Sequence, residues 1–581
     1  MRLRKESDRR LKLRKDFLPT RRLFSINTPS KWVHIFLLIG ICFILYFLNL
    51  GRWDLWNPDE PRYAQIAREM LDRGDWIIMH LNGGVYGDKP PLFFWLIALS
   101  SYLWKGFSSF SVRFPSALFG TLTVLLTFFL GKRLYSSRTG FFSGLILATS
   151  LHFVYLSTRA NIDVTLTFFT TASFICFFLW HQEGREEGVR YSKTVRHLLI
   201  FGFYISMAFA TLAKGPIGLV FPLFGSLLFL LSQKKYVEMK RMKLLPGIFL
   251  FLVIVFAWFL PAGFLGGWQY VLRNLFKHTT EAYSTGWTHP HPVYYYLYSF
   301  PMSFMPWVFC LPAAIVYGCS RTMTGKRKEF LFLSVWCLVI FVFFSLSRSK
   351  RALYLLPLFP AASLMVGKFL SDFISGPLDS FKRGWIMFPL YGLIGIGLVA
   401  GVAGPWVVSI KLPLYLSYSF PVAVLLVGCS LAMLVFLRLK NYRTVLFLLA
   451  GMMVAGYFYA WAVVFPVANA QMSARFISEE VTSRIRPGDK LVIYGGLGSD
   501  PYIYYTGVVP ITRFFDREAF LDFMQSSERV FCILEFSEYS QLFGGGGKPK
   551  VQLIARRRVR NDDVVLITNH PPSSPLNLRR E

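Results

Sequence analysis

Long apolar runs separated by short polar segments make up most of the chain between residues 32 and 466. A helix needs roughly 20 consecutive apolar residues to cross a bilayer. By that measure the pattern predicts thirteen membrane spans, at 32–50, 112–131, 139–157, 162–181, 196–212, 216–232, 245–264, 297–318, 329–346, 352–370, 384–404, 417–437 and 443–466. The first begins only after 31 residues and lacks a small-residue cleavage site, which separates it from a signal peptide. A further apolar stretch, 90–107, opens on Pro90-Pro91 and is interrupted by Ser100 and Ser101. It reads as a helix lying in the membrane interface. If it crossed instead, the strongly basic loops around Lys132 and Lys234 would face the side opposite the basic N-terminus, against the positive-inside rule.

Beyond about residue 475 the period changes. Short β-rich runs at 490–494, 508–515, 530–536, 551–555 and 564–568 alternate with turn signals and one helical stretch near 517–525. They predict a small α/β domain over 475–581, outside the membrane. Gly544–Gly547 lacks the Lys-Ser/Thr that would follow in a phosphate-binding loop and reads as a linker.

Composition agrees with lipid as the main solvent. Of 581 residues 54% are hydrophobic and 16% charged, where soluble domains carry about a quarter charged. The net +31 raises the question of nucleic acid, which the distribution of charge answers. Residues 1–31, a basic cytoplasmic N-terminus, hold 11 Lys/Arg, the cytoplasmic loops 22 against 7 acids, and the tail 15 against 13. Basicity is thus mainly a topology signal, with anionic-lipid contact at the N-terminus, and no nucleic-acid partner is expected. The seven cysteines are dispersed and show no metal or disulfide spacing.

Charge beside a membrane is costly and tends to be functional. The first external loop, 51–111, carries seven of the nine acids placed outside before the tail. It opens WNPDEPRYAQIAREM, where Pro61 suits the first turn of a helix, Asp59 or Glu60 its cap, and Tyr63, Ile66, Ala67 and Met70 one apolar face. The two carboxylates either cap the helix or present a site. The second alternative gains from VYGDKPP, with Tyr86, Asp88 and Lys89, and from TRANID, with Arg159 and Asp163.

These segments, together with RFPSALFG and LAKGPIG, resemble the membrane glycosyltransferases typified by the aminoarabinose transferases that modify lipid A and by protein O-mannosyltransferases. The resemblance covers about 30–370. It implies a polytopic helical GT-C fold over 32–470, with juxtamembrane helices in the first loop. It also implies a polyprenyl (undecaprenyl) phosphate sugar donor and an acceptor such as lipid A at the outer face of the bacterial inner membrane. Asp59 would act on the acceptor, with Glu60, Asp163 and Lys89 as the other catalytic candidates. Arg62, Tyr63, Tyr86, Arg159, Lys214, Lys350 and Tyr354 would contact substrate. A departing phosphate needs cations against it, and Lys89, Lys214, Arg273, Arg348, Lys350 and Arg351 are external cations at helix ends. A divalent metal would be held by Asp88 and His278, with His289 and His291 as competitors. Protein O-mannosylation is the rival activity within the class. A polyprenyl-lipid flippase is the rival outside it, disfavoured because ionisable groups gather at one external face and no internal repeat is seen.

Overall fold

A computed structural model describes residues 31–182, 192–274, 289–320, 323, 326–375, 380–544 and 551–570. The basic segment 1–30, most of the glycine run and His278 lie outside these residues. Among the described residues nine helices are long and apolar enough to cross a membrane: Ser109–Leu134, Ile162–Gln182, Lys193–Lys214, Leu244–Gly266, Arg327–Leu346, Ala352–Ser375, Gly384–Lys411, Pro413–Arg438 and Tyr442–Met472. Two spans are broken, Ser137–Thr149 with Leu151–Ser157 bent by 68° and Tyr295–Ser303 with Trp307–Cys319 bent by 113°. The shorter apolar helices Lys31–Phe47 and Ile217–Ser232 fill the two remaining runs. Leu92–Leu103, at 12 residues, is too short to span and lies against the helix Asp59–Arg73, as its composition predicts.

Breaking a helix strands backbone polar groups that lipid cannot satisfy. Here the breaks answer each other. Ser150 is extended, the Leu151 N–H donates to the Met305 carbonyl at 3.0 Å, and the Trp307 indole N–H donates to Thr149 Oγ1 at 2.9 Å. The Tyr457 hydroxyl donates to the Thr149 carbonyl at 3.3 Å, tying a late span to the same point. Helices in lipid associate through close packing of small residues. Gly131 and Gly140 provide one such contact: a Cβ at Gly140 would stand 2.4 Å from the Phe128 carbonyl oxygen of the facing helix.

The tail folds on a five-stranded mixed sheet. The first loop's small hairpin supplies β1 (His80–Leu81) and β2 (Gly84–Val85); the tail supplies β3 (Lys490–Tyr494), β4 (Thr512–Phe514), β5 (Val530–Glu535), β6 (Gln552–Val559) and β7 (Asp562–Thr568), ordered β4-β3-β5-β7-β6. β3 is parallel to β4 and β5, and β7 is antiparallel to β5 and β6. β4 is shorter than the run 508–515 from which it was expected, since Pro510 brings no N–H to a ladder.

Candidate active site

The helix Asp59–Arg73 starts at the end of an apolar loop, and its first two residues part ways. Glu60 turns inward and is 1% exposed. Its carboxylate accepts from Arg113 Nε at 2.7 Å and Nη2 at 3.0 Å, from Arg159 Nη2 at 2.7 Å, and from the backbone N–H groups of Trp56 (3.1 Å) and Ala160 (3.0 Å). Burial pushes the Glu60 carboxyl up, but the two guanidiniums and the Ala160 N–H outweigh it and hold the group at about 2. Arg113, fully buried near the start of a span, also donates to the carbonyls of Leu50, Trp53 and Asp54, so all its donors are engaged. Arg159 also donates from Nη2 to the Trp56 carbonyl and from Nη1 to the Tyr155 hydroxyl. Glu60 and Arg113 are thus fully used in positioning the loop, while Arg159, gripping Glu60 with one terminal nitrogen, is the partly exposed member of the cluster.

Asp59 faces the other way. It keeps a partly exposed carboxylate, with Arg351 Nη2 at 3.4 Å and Arg62 Nη1 at 3.9 Å. Burial works against the Arg351 charge, and Asp59, first among its neighbours, raises the guanidinium above its ordinary value. Behind this pair Asp163, at the start of Ile162–Gln182, is ion-paired with Lys214, the last residue of Lys193–Lys214. Lys214 Nζ also lies 4.4 Å from the centre of the Tyr354 ring, which stacks on Phe344 at 5.2 Å.

Lys89 completes the group. Among the described residues it makes no hydrogen bond or ion pair, although the charges of Lys214, Asp163, Asp88 and Asp59 all reach it. Burial, reinforced by Lys214, pushes its ammonium down to about 8 against the pull of those carboxylates. A partly buried cation with no fixed partner is what an incoming phosphate needs.

The remaining sequence candidates frame this centre. Tyr63 and Tyr86 are buried and packed edge-on against Phe93 and Phe94 of the interfacial helix. The rings of both are thus part of the scaffold. Lys350 is 2% exposed and donates to the carbonyls of His291 (2.9 Å) and Ser347, clipping the 289–291 turn in place of a phosphate. Its neighbour Arg351, also among the candidate cations, is the one that lies beside Asp59. The stem of Arg273 crosses the VYGDKPP turn, where a Cβ at Gly87 would come 3.1 Å from Arg273 Cδ. Arg113 was not singled out, although a lone arginine within an apolar run was its signal.

No three His, Cys, Asp or Glu side chains converge as a metal site among the described residues. Asp88 is among them, and the histidine expected to join it, His278, is not. His291 is stacked on Tyr295 at 4.3 Å, while burial and then Arg351 push the His289 imidazole down. The described donors alone do not fit a divalent ion.

The tail docks on the same juxtamembrane helix. Arg62 Nε donates to Asp500 Oδ2 at 2.6 Å, Arg68 to the Tyr504 carbonyl at 2.9 Å, and Tyr505 to the Leu55 carbonyl at 2.9 Å. Asn82, in the hairpin turn, exchanges two hydrogen bonds with the backbone of Ile511, at 2.9 and 2.7 Å. Arg62, expected on substrate, is thus chiefly a strut to the tail. Asn469 links Asp54 and the Trp56 indole from the last span.

Residues 31–276 match the family described as dolichyl-phosphate-mannose-protein mannosyltransferase. The fold is that of ArnT from Cupriavidus metallidurans, crystallised bound to undecaprenyl phosphate, with a TM-score of 0.79 over 94% of this chain and 100% of that one at 21% identity. An undecaprenyl phosphate-alpha-4-amino-4-deoxy-L-arabinose arabinosyl transferase of Aeromonas hydrophila is 30% identical over 65% of this chain and 66% of its own length. The transferase of the same description from an Enterobacter species is 30% identical over 70% of this chain. Since that match spans 71% of the Enterobacter protein, this chain belongs to the undecaprenyl phosphate-aminoarabinose arabinosyl transferase family of GT-C membrane glycosyltransferases.

Proposed function

We propose that the protein transfers a sugar from undecaprenyl phosphate to lipid A or a related envelope glycolipid, at the periplasmic face of the bacterial inner membrane. The observation that carries this is Lys89, a partly buried cation without a hydrogen-bond or ion-pair partner among the described residues and within reach of the charges of Lys214, Asp163 and Asp59. In a single inverting displacement the acceptor oxygen bonds to the anomeric carbon as the bond from that carbon to the donor phosphate breaks. The departing phosphate gains one negative charge, and Lys89, Lys214 and Arg351 are placed to receive it. If the acceptor is a phosphate monoester it loses one charge in the same step, and no proton needs to move. Asp59 then orients the acceptor and keeps Arg351 aimed. A hydroxyl acceptor would have to shed a proton, and Asp59 is the open carboxylate for it.

The match of residues 31–276 to mannosyltransferases keeps protein O-mannosylation as the second reading. Purified protein is supplied with a sugar-labelled undecaprenyl phosphate donor and lipid A, a Ser/Thr-rich peptide, or neither. Labelled lipid A with release of undecaprenyl phosphate is the expected result. Labelled peptide selects the second reading, and intact turnover in Lys89→Met and Asp59→Asn would overturn the site.

A further inference from the structure

The charged face opposite the active site holds a cavity that the transfer reaction does not use. It lies at the far end of Ser109–Leu134, where Lys132 is 19 residues beyond Arg113, about 28 Å along the helix and close to the thickness of a hydrocarbon core. The cavity has a volume of about 810 Å³ and is lined by four cations, Lys31, Lys132, Arg138 and Arg443, and by His34. Its one carboxylate, Asp372, is already taken: Lys368 lies 2.8 Å from it and the Tyr317 hydroxyl donates to it. Among the described residues none of the four cations has a carboxylate within ion-pairing distance. Arg138 donates to the Ser375 hydroxyl, and His34 Nδ1 is 3.1 Å from Ser137 Oγ, so hydroxyls line the cavity as well.

A second cavity, apolar and of about 630 Å³, continues from the first and shares Leu37, Phe141 and Phe447 with it. It is a groove between the first span and the helix Tyr442–Tyr459, running from Leu37 to Leu48 on one wall and from Phe447 to Phe458 on the other. Eleven residues of helix make it about 16 Å long. A Cβ at Gly451, on the groove wall, would meet nothing within 4 Å.

We propose that the basic cavity and the groove together hold one anionic phospholipid of the cytoplasmic leaflet, its phosphate among Lys31, Lys132, Arg138 and Arg443 and an acyl chain along Gly451. Charge complementarity selects an anionic headgroup, since four cations face one neutralised acid at membrane-interface depth. Continuity with the apolar groove selects a lipid over a free anion. This site is independent of the sugar-transfer chemistry.

Full-length protein, delipidated in detergent, is titrated with dioleoylphosphatidylglycerol or dioleoylphosphatidylcholine, and bound lipid is read by native mass spectrometry. Wild type should retain the anionic lipid preferentially. K132Q/R443Q should weaken its binding by about fivefold per cation removed, with phosphatidylcholine binding unchanged. Gly451→Trp should weaken binding by filling the groove, and K235Q/K240Q, on another basic loop, should leave it intact. The proposal is overturned if phosphatidylglycerol shows no preference, if K132Q/R443Q and Gly451→Trp both bind as wild type, or if inorganic phosphate displaces the lipid at equal concentration.

Discussion

The setting of Lys89 has a measurable thermodynamic signature. Its ammonium is lowered from 10.5 to about 8, a bias of at most about 3 kcal/mol against the charged form. The sign is that of a depressed base: the side chain is a cation below about 8 and neutral above it. Free protein therefore carries the charge in about nine molecules of ten at pH 7 and about one in ten at pH 9. A phosphate monoester, already a dianion above about pH 6, favours the charged form and draws a proton back onto Lys89. Affinity for a short-chain polyprenyl monophosphate should fall about tenfold between pH 7 and pH 9. Binding at pH 9 should take up nearly one proton, and at pH 6.5 almost none. Calorimetry in buffers of different ionisation enthalpy reads both quantities. Lys89→Arg, which stays charged throughout, should bind without proton uptake and with a flat pH profile. Equal affinity of the wild type at pH 7 and pH 9, with no proton uptake, would refute the assignment of Lys89 to the phosphate.

Two further outcomes concern the frame around the site. Glu60→Gln leaves Arg113 and Arg159 with an uncompensated buried charge and should cost about 3–5 kcal/mol, seen as a large drop in the melting temperature in detergent. Asp59→Asn should abolish transfer while melting within a few degrees of wild type, and equal melting losses in both variants would contradict the division between the two carboxylates. Because the Glu60 carboxyl is held at about 2, its contribution is fully present above the ordinary glutamate value and is lost as pH falls through about 2. At the tail, Asn82→Ala with Asp500→Ala removes three contacts between the juxtamembrane region and the sheet domain. Amide exchange in the helix Asp500–Thr506 should accelerate by about tenfold or more, and unchanged protection would mean that these contacts do not hold the domain.

Much of the fold was legible in the chain because lipid demands long apolar runs, and all thirteen runs are helical. The interfacial helix was legible too, since Pro90-Pro91 and the position of the basic loops both argued against a crossing. What the pattern could not supply is direction at the scale of one residue. Asp59 and Glu60 are adjacent acids at one helix start, and only Arg113 and Arg159, brought in from 53 and 99 positions away, decide which is buried. Lys350 and Arg351 show the same division, one folded onto backbone carbonyls and one beside Asp59. Local spacing cannot reveal that Arg62 points at Asp500, 438 residues along. The helix breaks escaped hydropathy, because Thr149-Ser150 and Pro301, Ser303 and Pro306 interrupt their runs too briefly to divide them.

Those breaks form a matched set. The Leu151 N–H has its acceptor at Met305, and Thr149 receives the Trp307 indole, so each bend supplies the polar partner that the other lacks. A substitution that restored regular helix at one would take the acceptor from an N–H at the other, the Leu151 peptide or the Trp307 indole. Neither bend can then be lost alone, and the two spans must be placed together during assembly. The segment that leads away from the first break ends at Thr158, one residue before the guanidinium that grips Glu60. The first kink thereby helps set where Arg159 stands when it meets Glu60 at the start of the helix Asp59–Arg73.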